Sequence, residues 1–342
     1  MTQSHISFAD YVQPFAMGAY VTKAVYIDDA FAFALGDGRI QWLNPHDPDS
    51  PLLTVDAHPK ASILVTAHSS RCLITGGDDG RVIKHFSPRS TQTHMQILHE
   101  AHNKSWIDAI AVSHAECIAW SVDKNVFSLD AKGNVTTCQA PSSVRGLAYA
   151  PKGYRLAVAH YNGASLWYPS TQSTPELLEW SGAHLDVIWS QDGRYVITSL
   201  QENALHGWRL SPTSGHMRMT GYSAKVRSVS WSHDGQWLAT SGDKAVILWS
   251  FTSKEGPMGK APRECGEHSS SVSAVQFHPK ALVLAVGYQD GSVRLVRLTD
   301  AAEIHVQSPL KNNSITSLAW SSDGRYLAFG ATGGAAGLLT LP

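Results

Sequence analysis

The stretch WSHDGQWLATSGDKAVILWS, residues 231–250, decides the fold. It holds Asp234 and Trp249 among several other polar and aromatic residues, a density that is also typical of an active site. The stretch recurs, however, as WSQDGRYVITSLQENALHGW, which ends at Trp208, and as WSSDGRYLAFGATGGAAGLL, which begins at Trp320. Its composition therefore belongs to a repeated scaffold unit rather than to a single catalytic centre.

The repeat has a regular period. The leading aromatic residues of five similar segments stand 40 to 46 positions apart, at Tyr149, Trp189, Trp231, Phe277 and Trp320. Three looser copies precede them, which gives eight units. Within each unit, short β-rich runs alternate with turns that contain Gly, Asp or Asn, a pattern that indicates antiparallel strands. A period of this length is typical of the four-stranded blade of a propeller.

The phased Asp-Gly turns and the strand-ending Trp167, Trp208 and Trp249 resemble those of the WD-repeat β-propeller family. Where that family often has Gly-His, this sequence has Ala57-His58, Ala101-His102, Ala183-His184 and Glu267-His268. The resemblance implies an all-β fold, a single closed β-propeller. We predict eight blades of four antiparallel strands, with seven blades as the alternative. The N-terminal segment SHISFADYVQPF is expected to supply the strand that the last unit lacks, which removes an exposed sheet edge.

These assignments predict one domain over residues 1–342. Residues 1–19 form the closing strand and its lead-in, and the repeats cover approximately 20–56, 57–100, 101–140, 141–182, 183–222, 223–266, 267–311 and 312–342. The resemblance also implies hydrogen bonds within a blade between His, Asp, Ser or Thr, and Trp. That set is incomplete in this sequence, since His85 stands at a Trp position and Glu202 at an Asp position.

Charge and composition restrict the class of protein. The formal net charge is −1, so the general electrostatic attraction to nucleic acid is missing. No apolar run reaches about 18 residues, and the N-terminus lacks the pattern of a secretory signal. The four cysteines contain no Cys-x-x-Cys pair and are expected to be reduced thiols. We therefore predict a cytoplasmic, monomeric protein that binds neither nucleic acid nor membranes.

Candidate catalytic and metal-binding residues are few. Asp192, Asp234 and Asp323 recur at one phase beside glycine, which favours a role in turns. His94, His99 and His102 are weak metal candidates, because His94 and His99 fall on opposite faces of a strand. The sequence has no phosphate-binding loop, nucleophile elbow or zinc-binding helix motif. We predict no catalytic residue, no cofactor and no enzymatic activity.

The family resemblance implies a partner-binding surface at one mouth of the channel, formed by residues that flank the first apolar position of each inner strand. Carried over to this sequence, the surface contains Tyr20, Thr22, Lys60, Trp106, Asp108, Arg145, Lys225 and Arg227. Aromatic residues and arginine are frequent anchors of protein interfaces, and arginine can bind a carboxylate through two hydrogen bonds. The set favours an acidic or phosphorylated peptide as the ligand.

The predicted function is a non-enzymatic scaffold that binds partner proteins or peptides through the channel mouth and loops. The alternative is a small-molecule- or metal-binding propeller, such as a hydrolase or lyase, with polar or histidine side chains near the channel. That alternative requires histidines or carboxylates from several inner strands to converge, whereas those strands carry mainly Val, Ser, Ala and Leu.

Overall fold

The computed structural model describes residues 7–90, 95–101, 105–171, 173–210 and 215–341. This part of the chain is almost entirely β-strand, with a short 3₁₀ helix, Ala9–Tyr11. The first fifteen strands are β1 Val12–Ala16, β2 Val21–Ile27, β3 Ala30–Leu35, β4 Arg39–Leu43, β5 Leu53–Asp56, β6 Ile63–His68, β7 Cys72–Gly77, β8 Arg81–Phe86, β9 Met95–Glu100, β10 Ala109–Val112, β11 Ile118–Val122, β12 Asn125–Leu129, β13 Val135–Gln139, β14 Gly146–Tyr149 and β15 Leu156–Trp167.

The second half of the chain continues in the same way. Its strands are β16 Glu176–Trp189, β17 Tyr195–Leu200, β18 Leu205–Arg209, β19 Gly215–Met219, β20 Val229–Trp231, β21 Trp237–Thr240, β22 Val246–Ser250, β23 Arg263–Cys265, β24 Val272–Phe277, β25 Val283–Tyr288, β26 Val293–Arg297, β27 Glu303–Gln307, β28 Ile315–Trp320, β29 Tyr326–Ala331 and β30 Ala335–Thr340. Among the described residues, no helix has the length and hydrophobicity needed to cross a lipid bilayer.

The strands divide between two compact units. Unit 1 contains the described parts of 1–56 and 226–342, and unit 2 contains those of 57–225. Unit 1 has four sheets of four strands, in the orders β2-β3-β4-β5, β20-β21-β22-β23, β24-β25-β26-β27 and β1-β30-β29-β28. Unit 2 has two sheets of four strands, β6-β7-β8-β9 and β10-β11-β12-β13, and one of six strands, β14 to β19 in sequence order.

The prediction of eight four-stranded blades was wrong, because the described residues form seven sheets. The reason lies in β16, which runs without a break over Glu176–Trp189. Its first part pairs with β15, where Leu177 lies opposite Ser165, and its last part pairs with β17, where Ile188 lies opposite Ile197. No turn separates the fourth repeat from the fifth in this segment, so the two repeats share one strand and one sheet.

The N-terminal segment provides the outer strand of the last sheet, as the sequence predicts. Strand β1 pairs antiparallel with β30, from Val12 opposite Leu339 to Ala16 opposite Ala335. Pro14 lies in this strand, at the edge of the sheet, where a residue without an N–H costs little. The pairing covers the edge that β30 would otherwise present to solvent.

The turns of the repeat depend on a serine and an aspartate. In the stretch 231–250, Asp234 accepts hydrogen bonds from the Ser232 hydroxyl (2.5 Å) and from the Gln236 N–H (3.0 Å), while Ser232 Oγ accepts from the Trp237 N–H (3.0 Å). Gly235 completes the turn with φ of 67°. Equivalent bonds occur at Ser190 and Asp192 and at Ser321 and Asp323. These recurring carboxylates are therefore turn residues.

Unit 2 contains a continuous hydrogen-bonded chain of four side chains. His58 Nδ1 donates to Asp79 (3.0 Å), the Thr75 hydroxyl donates to His58 Nε2 (2.8 Å), and His85 Nε2 donates to Thr75 Oγ1 (2.9 Å). These directions follow because an ionised carboxylate only accepts, which fixes the tautomer of His58 and then that of His85. His85 thus takes the place that the family resemblance assigns to Trp, and the network that the sequence pattern left incomplete is complete in this sheet.

Neighbouring sheets approach too closely for a side chain at certain glycines. In unit 2, a Cβ added to Gly76 of β7 would lie 2.6 Å from the Ile107 side chain, which precedes β10. In unit 1, a Cβ added to Gly330 of β29 would collide with Val21 of β2, and one on Gly287 of β25 would collide with Ile315 of β28. The first apolar residue in or just before an inner strand therefore packs directly against the backbone of a neighbouring sheet.

We expect Gly330→Ala to lower the free energy of unfolding by about 1–3 kcal/mol, because the added methyl overpacks the contact with Val21. Urea unfolding followed by tryptophan fluorescence measures the change. Gly36→Ala is the matched control, since its added Cβ would come no closer than 3.4 Å to any atom. The double variant with Val21→Ala should lose less stability than the sum of the single variants, and strict additivity would contradict the proposed contact.

We expect His85→Gln to reduce the dependence of stability on pH. Burial, with a smaller contribution from His58, lowers the pKa of His85 to about 3, so the folded state holds this ring neutral. Between that value and the ordinary pKa of about 6.5, the unfolded chain binds one more proton at this position, and stability falls as pH falls. Gln keeps an N–H donor for Thr75 but does not titrate. The slope of unfolding free energy between pH 4 and 6 should therefore decrease by about 1.4 kcal/mol per pH unit, and an unchanged slope would contradict this account.

Candidate functional site

Three of the predicted partner-binding residues meet in unit 2. Trp106 and Asp108 precede β10, on either side of the buried Ile107, and Arg145 precedes β14 after the buried Val144. Strands β10 and β14 pack against each other, as do β10 and β6. The segments that enter these inner strands therefore lie at the same end of neighbouring sheets, with the apolar residue of each turned inward and its neighbours left at the surface.

Backbone and carboxylate hydrogen bonds fix this end of the sheets. The Asp108 carboxylate accepts from the Asp123 N–H (2.8 Å), and the Asp123 carboxylate accepts from the Ser143 hydroxyl (2.5 Å). The Val144 N–H donates to the Asp123 carbonyl (2.9 Å). A continuous set of bonds thus joins the segment before β10 to the segment before β14, and it holds Trp106 and Arg145 on one connected surface.

Large side chains project from this surface. Trp106 is 63% exposed, and the Arg145 side chain is 61% exposed. Arg145 Nη1 lies 3.9 Å from Asp108 Oδ1, a separation that leaves most of the guanidinium's hydrogen-bonding capacity for a ligand. Partial burial raises the pKa of Asp108, an effect that the Asp123 N–H and Arg145 partly offset.

The sequence prediction missed one residue of this surface, Tyr161. Its ring is 59% exposed, and its N–H donates to the Ser142 hydroxyl (2.9 Å), two residues from Val144. It lies in the Tyr161-Asn162-Gly163 bend within β15, where Asn162 and Gly163 both have positive φ. An exposed aromatic ring beside an Asn-Gly turn was the available signal. We call Trp106, Asp108, Arg145 and Tyr161 the Trp106–Arg145 surface.

The other predicted residues are distributed more widely. Lys60 is exposed with φ of 61° and lies three residues before β6, a strand that packs against β10. Lys225 is half-buried and is the last residue of unit 2. Tyr20, Thr22 and Arg227 belong to unit 1, where β28 and β24 lie between the strands that these residues enter. Tyr20 and Arg227 are exposed, and Thr22 is half-buried.

The predicted metal candidates do not form a site in the described residues. His99 is half-buried, and its ring lies 5.3 Å from that of Trp120 and 5.5 Å from that of Phe127. His94 and His102 lie outside the described residues. Within the described part of the chain, no three His, Cys, Asp or Glu side chains lie close enough together to hold a metal ion.

Comparison with known proteins identifies the repeats. The sequence model of the family described as "WD domain, G-beta repeat" matches residues 213–250, 259–296 and 305–336. The first of these segments contains the stretch 231–250. Periodic tryptophan protein 2 of Saccharomyces cerevisiae is 28% identical over 170 residues, which are 42% of this chain and 18% of that protein. Protein HIR1 of Yarrowia lipolytica is 26% identical over 216 residues, 58% of this chain and 19% of that protein. The matched segments span about a fifth of these relatives.

Solved structures show the same fold. The C-terminal WD40 domain of Sif2 superposes with a TM-score of 0.78 and 13% identity, covering 98% of this chain and 99% of that one. The computationally designed protein Ika8 superposes with a TM-score of 0.73 and 16% identity, covering 95% and 98%. The phased Ser-Asp-Gly turns and the recurring four-stranded sheets agree with these matches. Residues 213–250, 259–296 and 305–336 therefore match WD repeats, and the fold is that of a WD40 domain of known structure.

Proposed function

We propose that this protein is a non-enzymatic scaffold that binds a partner protein through the Trp106–Arg145 surface. The observation that carries the proposal is the exposure of two aromatic rings and one arginine, Trp106, Tyr161 and Arg145, on a surface tied together by hydrogen bonds. Aromatic residues and arginine are the types that most often dominate the binding energy of protein interfaces. Rigid support lowers the entropic cost of binding through such side chains.

The chemistry of the surface favours an acidic segment of the partner. Arg145 offers a planar fork of N–H donors that matches a carboxylate or phosphate, and Lys60 adds a second cation at the neighbouring strand end. The Asp108 carboxylate already accepts a hydrogen bond from the Asp123 N–H. An apolar residue of the same segment would pack on the Trp106 ring, which combines apolar area with few rotatable bonds. We therefore propose an extended acidic peptide segment, with one apolar anchor, as the recognised element.

An array of 12-residue peptides, each with one Leu flanked by Glu and Asp, tests this recognition directly. The wild-type protein should bind these peptides better than their Gln and Asn counterparts. Trp106→Ala and Arg145→Gln should each weaken the best peptide about tenfold or more in fluorescence anisotropy, which is the size expected for anchor residues. A parallel set with phosphoserine in place of Glu distinguishes a phosphate from a carboxylate as the bound group.

Arg71→Gln is the matched control for this experiment. Arg71 is also in unit 2 and its side chain is 78% exposed, but it lies in the turn after β6, at the other end of that strand. It should bind the peptides as the wild type does. Equal loss of affinity in Arg71→Gln and Arg145→Gln, or equal binding of acidic and amide peptides, would overturn the proposed recognition.

We also propose that the protein acts as a monomer in the cytoplasm. The cysteines support the compartment: Cys72, Cys117, Cys138 and Cys265 are all free thiols, as expected under reducing conditions. Burial raises the pKa of Cys138 to about 12 and that of Cys265 to about 11, so neither is activated as a thiolate. Light scattering should give the mass of one chain, and fractionation of the source cells should recover the protein with cytoplasmic markers; a dimer or a secreted form would contradict this.

A further inference from the structure

Asp108 is the member of the Trp106–Arg145 surface whose charge opposes the proposed ligand. Its side chain is 20% exposed, and its Oδ1 lies 3.9 Å from Arg145 Nη1. In the described part of the chain, no other basic side chain lies within 4 Å of this carboxylate. Opposite charges at this separation attract each other appreciably when they are partly sheltered from water. Asp108 therefore neutralises part of the positive charge that Arg145 would present to an acidic partner.

The hydrogen bond that Asp108 makes does not require a charge. Its carboxylate accepts from the Asp123 N–H (2.8 Å), which joins the segment before β10 to the turn between β11 and β12. In unit 1 a neutral amide makes a corresponding connection. Asn313, two residues before β28, accepts through Oδ1 from the Gly333 N–H (2.9 Å), which lies in the turn between β29 and β30. Because an amide oxygen can accept this bond, the fold does not need the negative charge of Asp108.

An anion bound to Arg145 would come close to this charge. A hydrogen bond from Arg145 Nη1 to a ligand carboxylate is about 2.8 Å long, so the ligand oxygen would lie no more than about 7 Å from Asp108 Oδ1. This distance is shorter than the screening length of about 8 Å at physiological ionic strength, so the two carboxylates repel each other. The exposed Asp123, whose carboxylate accepts from the Ser143 hydroxyl, adds to the repulsion. An anion therefore gains little affinity from Arg145 alone.

We infer that Asp108 is a specificity-determining residue: it weakens the binding of anions at Arg145, so that a ligand is retained only when it also packs on the Trp106 ring. Trp106 precedes Asp108 by two residues and is 63% exposed, so the apolar contact and the repulsive charge come from one short segment. An unfavourable charge is a general means of rejecting wrong partners. The rejected ligands would be free phosphate and acidic segments without an apolar residue. This role of Asp108 rests on the proposed function of the surface.

Asp108→Asn tests this role with the acidic 12-residue peptides. The variant should bind the best acidic peptide about three- to tenfold more tightly than the wild type in fluorescence anisotropy, because one repulsive charge is removed. The same peptide with Ala in place of Leu should gain by a similar factor, and the Gln and Asn counterpart should gain nothing. In 1 M salt, where the screening length falls to about 3 Å, the gain should disappear.

Asp130→Asn is the matched control for the loss of one negative charge. Asp130 is also in unit 2, but it follows β12 and so lies at the opposite end of that strand from Asp123. This variant should bind the acidic peptides as the wild type does. An equal gain of affinity in Asp130→Asn and Asp108→Asn would overturn the role of Asp108.

A titration without any ligand measures the contact between Asp108 and Arg145. Burial raises the pKa of Asp108, and the guanidinium of Arg145 opposes this effect. Arg145→Gln should therefore raise the pKa of the Asp108 carboxyl further, as followed by its ¹³C signal. An unchanged pKa would show that the two groups do not interact, and the role of Asp108 would fall.

The peptide measurements separate this role from the proposed function. Acidic peptides that bind the wild type and Asp108→Asn equally well would overturn the role of Asp108 and leave the proposed function intact. Acidic peptides that bind Asp108→Asn but not the wild type would support the role of Asp108 and contradict the proposed function. Acidic peptides that bind neither protein would overturn both.

Discussion

The rest of the structure depends on the direct packing of an inner strand against the backbone of a neighbouring sheet. Val21 and Ile315 are the first residues of inner strands and Ile107 lies two residues before one, and a Cβ on the facing glycine would collide with each of them. Close packing of this kind admits no added methyl without displacement. This packing also determines which side chains lie at the surface. Because the apolar residue points into the contact, its neighbours in sequence, such as Trp106 and Asp108 beside Ile107, remain at the end of the strand.

Polar side chains in this protein have two structural roles, one of which recurs from repeat to repeat. Ser232 with Asp234, and their counterparts in two other repeats, bond to each other and to backbone N–H groups, and they build turns. The chain from Asp79 to His85 satisfies buried polar atoms inside one sheet. The large side chains of the Trp106–Arg145 surface neither build turns nor satisfy buried polar atoms. Side chains that the scaffold does not use are the ones available for a partner.

The sequence predicted the β-repeat, the turn residues and the N-terminal outer strand, because each rests on local spacing or on the need to cover a sheet edge. It did not predict the number of sheets, since the continuity of β16 depends on pairing to two different neighbours. The role of His85 was hidden because a histidine can replace a tryptophan as donor to Thr75 only when its tautomer is fixed by the rest of the chain. Of the predicted surface residues, Trp106, Asp108 and Arg145 do come together.

Strands β1 and β30 lie far apart in sequence, so the time at which they can pair depends on the order in which the chain is synthesised. Unit 2 is continuous in sequence, whereas unit 1 combines residues from before and after it. During translation the residues of unit 2 are therefore complete while unit 1 still lacks most of its strands. Strand β1 is synthesised before unit 2 but finds its partner only when β30 has been made. Until then the N–H and C=O groups that β1 uses in this pairing have no partner strand, and unpaired strand edges are prone to pair with other chains.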